Sequence, residues 1–116
     1  MHIPRTMVWS ATAAMLLTCA GQVPADAQEA VTARTAIKDH RFQPAEIRVP
    51  ANAPVTLVVR NLDPTPEEFE SQTLRVEKIV AGKSEVTIRL RPLAPGRYRF
   101  YGDFNEATAE GAIVAE

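Results

Sequence analysis

The strongest constraint in this sequence is a two-residue period that recurs in short runs between clusters of turn-forming residues. In "EIRV", Ile47 and Val49 fall on one face, and in "VTLVVR" Val55, Leu57 and Val59 oppose Thr56 and Arg60. "EVTIRL" sets Val86, Ile88 and Leu90 against Thr87 and Arg89, and "RYRFY" sets Tyr98 and Phe100 against Arg97, Arg99 and Tyr101. Successive side chains of an extended chain point to opposite faces, so this alternation makes half-buried strands and excludes amphipathic helices. Weaker strands are expected at Ala33 to Lys38, Leu74 to Val80 and Ala112 to Ala115.

The intervals are "VPANAP", "NLDPTP", "AGKS" and "PLAPG", all rich in residues that favour turns. About seven short strands at this spacing predict an antiparallel sandwich. In "LAPGRY" a Pro-Gly turn precedes Tyr98, as in a tyrosine corner whose hydroxyl returns to upstream backbone. Only "NEATAE", Asn105 to Glu110, has the makings of a helical turn.

The first residues read as an export signal. "MHIPR" supplies a basic start, "TMVWSATAAMLLTCAG" an apolar run, and Ala25 and Ala27 small residues for cleavage before Gln28. The alternative is a lipoprotein cut before Cys19, although Thr18 is bulkier than the residue usual there. A signal over residues 1–27 leaves one domain over 28–116, expected to be exported in soluble form and not inserted in the membrane. That domain has no Cys, Met or Trp and a single His, His40, so it relies on its hydrophobic core alone. With Arg5 and Asp26 removed, 12 basic residues face 13 acidic ones, a balance that argues against nucleic acid as a partner. No constellation for hydrolytic or nucleophilic chemistry is present.

The phrases "IKDHRFQPAEIRVPANAPVTLVVRN", "TPEEFES", "LAPGRYRFYGDF" and "GAIVAE", in that order, resemble a small secreted cupredoxin. They are most similar to the cupredoxin-like proteins of bacterial iron-uptake systems, among them EfeO-type cupredoxin domains and small FtrB-type periplasmic proteins. The resemblance implies an all-β, cupredoxin-like Greek-key β-sandwich of about seven to eight strands. It also implies where a blue-copper protein keeps its ligands: His at Glu67, Cys at Gly102, His at Asn105 and Met at Ala109. This chain keeps none of the four. Thiolate defines a type-1 copper centre, so electron transfer by type-1 copper is not expected.

Oxygen takes its place. Glu67, Glu68 and Glu70 crowd one stretch, with Asp103 and Asn105 in the facing loop. Carboxylates favour hard cations, and together with the resemblance this suggests an iron site built from these five residues. Such a protein would bind iron, assist its oxidation or deliver it to a membrane iron permease or another periplasmic iron-uptake component. Parity divides the set: in an extended segment Glu68 and Glu70 share one face, with Glu67 and Phe69 on the other. Each acid also has a plainer reading as a solvated loop residue, and His40 as a hydrogen-bonded loop residue away from the copper position. Glu77 and Lys78 read as a surface ion pair, and the Arg97, Arg99, Tyr101 stripe as a solvated face. The competing function is a metal-free interaction module that docks to a permease or another periplasmic protein.

Overall fold

The structure is a computed structural model that describes residues 2–4, 6, 13–16 and 30–116. The expected signal and its cleavage site therefore lie largely outside the described residues. Among those residues, no helix is long and apolar enough to cross a membrane.

Among the described residues nine strands follow in chain order: β1 (Val31–Lys38), β2 (Arg41–Gln43), β3 (Glu46–Val49), β4 (Val55–Asn61), β5 (Glu67–Ser71), β6 (Val76–Val80), β7 (Glu85–Leu90), β8 (Gly96–Gly102) and β9 (Glu110–Ala115). They form two sheets, one ordered β2-β1-β4-β7 and the other β3-β9-β8-β5-β6. Most pairings are antiparallel, but β1 runs parallel to β4 and β3 parallel to β9, so the antiparallel sandwich expected from the turn spacing is in fact mixed. Alternation along a strand reports its faces and not the direction of its neighbour. The count exceeds seven to eight because β2 is too short to show a period and β5 carries Glu67 on its inner face.

Inward positions follow the sequence pattern. Ile47, Val49, Val55, Leu57, Val59, Ile88 and Leu90 are buried, and Val86 packs against that core. Its centre is aromatic. Phe42 meets Phe69 and Phe100 edge-on at centroid distances of 5.9 and 4.8 Å, and Phe69 stacks on Phe100 at 4.8 Å. Such pairs add about 0.5–1.5 kcal/mol beyond their burial. The tyrosine corner is present: the Tyr98 hydroxyl donates to the Ala94 carbonyl at 2.7 Å.

The Arg97–Tyr101 stripe is not a freely solvated face. Arg97 pairs with Glu46 at 3.1 Å and Arg99 with Glu110 at 2.8 Å. Tyr101 is buried, with the Arg99 guanidinium 4.7 Å from its ring centre. The expected Glu77–Lys78 pair is absent among the described residues. Adjacent strand residues point to opposite faces, and Glu77 faces other acids. The helical turn occurs two residues earlier than expected, as a single 3-10 turn at Asp103–Asn105.

Candidate functional site

Strand β5 is the hinge of the site, because it pairs with β6 on one side and with the end of β8 on the other. Glu70 lies opposite both Glu77 and Tyr101, and Phe69 opposite Gly102. The 3-10 turn begins at Asp103, directly after β8, and so hangs beside the first half of β5. Alternation along β5 then sorts the five candidate ligands into two groups.

Glu67 and Asn105 form the inner group. Glu67 is 1% exposed. Its Oε1 accepts hydrogen bonds from the backbone N–H of Glu68 at 3.0 Å and of Phe104 at 2.9 Å. Its Oε2 accepts from the Asn105 side-chain amide at 2.7 Å. Glu67 binds through protein donors, and the Asn105 amide points at it rather than at the outer acids.

Glu68, Glu70 and Asp103 form the outer group. One oxygen of each lies within 4.8 Å of the others, a carboxylate group that could hold a metal ion. Glu77 joins them from β6, opposite Glu70. Glu68 has its carboxyl pushed up to about 7, first by a hydrogen bond with Glu77, then by desolvation and by the charges of Glu77, Asp103 and Glu70. Desolvation also raises Tyr101, helped by the charge of Glu70. Crowded carboxylates that must share a proton are relieved by a cation.

A second network, unseen in the sequence, braces the same end of the sandwich. Asp39 and His40 both have positive φ, 52° and 57°, and turn β1 into β2. The buried Asp63 carboxylate accepts from their backbone N–H groups at 2.8 and 3.0 Å. Those bonds, that of His40 first, hold the Asp63 carboxyl below its ordinary range. Asn61 orients Asp63 by accepting its backbone N–H at 3.0 Å. The His40 carbonyl accepts from the Thr108 hydroxyl at 2.6 Å, so His40 touches the loop through its backbone and is not remote from it. "NLDP" signals a turn, but nothing in it shows which amides Asp63 will cap.

The four copper-ligand positions do converge. Glu67 bonds Asn105, and a Cβ placed on Gly102 would lie 2.5 Å from Glu67 Cδ and 2.7 Å from Ala109 Cβ. The residues there do not fit type-1 copper: a carboxylate, a glycine, an amide and a methyl group offer no thiolate and no imidazole.

Comparisons with known proteins agree with this geometry at the level of the fold. Residues 9–115 match the family described as the cupredoxin-like domain, and the chain belongs to that family. An uncharacterized protein of Rickettsia prowazekii (strain Madrid E) is 46% identical over 78 residues, which are 67% of this chain and 62% of that protein. The match thus spans less than two thirds of the relative's length. Among solved structures, auracyanin A, a blue copper protein of Chloroflexus aurantiacus, superposes with a TM-score of 0.64 at 13% identity, covering 76% of this chain and 100% of that one. The metal-binding domain of the Streptococcus pneumoniae D39 Cu(I)-exporting P-type ATPase CopA gives 0.64 at 18% identity, covering 76% and 96%. Identities this low establish the fold and carry no ligand across.

Proposed function

We propose that this chain is a periplasmic cupredoxin-fold accessory protein of iron uptake. It holds a hard cation, iron foremost, on Glu68, Glu70 and Asp103, with Glu77 beside them, and passes it to a membrane permease or another periplasmic component. The observation that carries this reading is the convergence of three carboxylates from β5 and the β8–β9 loop on one patch. All-oxygen ligation suits hard ions, and accumulated negative charge favours ferric over ferrous iron. Iron and the periplasm enter from the resemblance of "TPEEFES" and its flanks to iron-uptake cupredoxins and from the signal-like first 27 residues.

The test is thermal unfolding of residues 28–116 under anaerobic conditions, comparing chelated protein with ferrous, ferric-citrate, manganous and cupric additions. A ligand at one hundred times its dissociation constant stabilises by about 2.7 kcal/mol. The expected result is an iron-specific rise in midpoint that disappears in Glu70→Gln and Asp103→Asn but survives Glu67→Ala. The absence of a shift with every ion tested would sink the iron reading and leave the metal-free docking module. That module would be sought by partner capture that survives chelator and fails when Arg97 and Arg99 are replaced.

A further inference from the structure

A blue-copper site ties together three pieces of chain: the strand that carries the first His, the strand end that carries Cys, and the loop that carries the second His and Met. The same pieces meet here, around a side chain. Glu67 sits at the first position, 1% exposed, and its two oxygens collect one side-chain and two backbone donors. Two of those donors, Phe104 N–H and Asn105 Nδ2, belong to the loop, so one carboxylate bridges β5 to the β8–β9 connection. Every buried side-chain polar atom among the described residues has a hydrogen-bond partner. Glu67 and Asn105 are therefore satisfied within the protein, with no ion needed to pair either of them.

Gly102 supplies an independent observation. Its backbone is ordinary extended chain, φ −93° and ψ 109°, which any residue adopts, so conformation does not require glycine there. Space does. A Cβ would stand 2.5 Å from Glu67 Cδ, 2.8 Å from Glu67 Oε1 and 2.7 Å from Ala109 Cβ, all closer than real Cβ contacts come. The position a blue-copper protein gives to cysteine is closed to any side chain by the carboxylate and by Ala109.

We propose that Glu67 is a built-in substitute for the metal: a buried carboxylate clamp that closes the copper position and holds the loop without an ion. Gly102 is its steric counterpart, and Asn105 its side-chain donor. This inference rests on the inner pocket alone and is independent of whether the outer acids bind a cation.

The experiment is a set of thermal unfolding measurements on the purified protein, each with strong chelator, with cupric ion and with cuprous ion. The variants are Glu67→Ala, Asn105→Ala, their double mutant, and Gly102→Ala in the wild-type and Glu67→Ala backgrounds. Glu67→Ala is expected to lower the midpoint equally with and without chelator. Asn105→Ala should cost less once Glu67 is gone. Gly102→Ala should likewise be destabilising alone and better tolerated beside Glu67→Ala; if the single variant fails to fold, its recovery in the double is the expected result. Any copper-induced shift should be unchanged by Glu67→Ala. The clamp is overturned if chelator brings the wild type down to the Glu67→Ala midpoint, if copper stabilisation requires Glu67, or if the paired penalties simply add. Failure of Gly102→Ala to fold in both backgrounds would trace to the Ala109 Cβ, which stays 2.7 Å away when Glu67 is replaced, and the Glu67–Asn105 cycle then decides.

Discussion

Glu68 and Asp63 are two acids pushed in opposite directions, and each makes a separate pH prediction. The Glu68 carboxyl is held near 7, above the ordinary carboxylate range, chiefly by its hydrogen bond with Glu77. A raised folded-state value means stability that is present while the group is protonated and is lost as pH rises through about 7. The chelated protein should therefore melt higher at pH about 6 than at about 8, and Glu77→Gln should flatten that slope. A profile equally steep in Glu77→Gln would show that some other group titrates. Asp63 is depressed, so its contribution is present above the ordinary aspartate range and lost as pH falls below about 4. Asp63→Asn should cost about 1–3 kcal/mol by weakening the bonds to the Asp39 and His40 amides, and should shrink the acid-side loss of stability. Urea melts at neutral and acid pH check both statements. If the variant matched wild type at both pH values, the Asp63 bonds would contribute nothing net. The crowding of Glu67, Glu68 and Glu70 in one stretch already implies one raised carboxyl, but not that Glu77, across a strand pair, is its chief cause; the Asp63 shift was not legible, because it depends on the β1–β2 turn.

At the scale of elements, the strands with a clean two-residue period were readable, and their inward faces are the observed core. Tyr98 was readable too, because a Pro-Gly turn before a strand-initial tyrosine is a local pattern. Tyr98→Phe is expected to cost about 1 kcal/mol, the ordinary net worth of one hydrogen bond, with little structural change. Equal stability of the two proteins in denaturant would mean the corner is ornamental here. Phe42 has no such signature, since three-residue β2 cannot display a period; yet its ring packs edge-on against two others. Phe42→Ala should remove about 3–5 kcal/mol, as large aromatic truncations in cores do. The site was half legible. Parity along "EEFE" separates Glu67 from Glu68 and Glu70, but it cannot say that the inner acid finds three donors waiting. It also gives no hint that Glu77, a residue on a separate strand, completes the outer set.

For the molecule as a whole, the sandwich is closed by parallel pairings between distant segments, Val31–Lys38 with Val55–Asn61 and Glu46–Val49 with Glu110–Ala115. The turn-rich intervals gave the strand count approximately, but the mixing of directions was hidden because no local residue pattern encodes a crossover between sheets. Refolding is expected on the millisecond-to-second scale usual for β-sandwiches with non-local contacts. The domain over 28–116 lacks cysteine, so reductant should leave that rate unchanged. Strand β6 has a further consequence. Among the described residues it is the outermost strand of its sheet, paired with β5 alone. An outer strand of this kind is where a fold breathes first, opening locally while the rest stays intact. Because Glu77 rides on it beside three acids of the neighbouring segments, an occupant of that patch would fasten the strand down. Amide exchange at Val76–Val80 would then act as a gauge of occupancy, readable at temperatures where the molecule never unfolds.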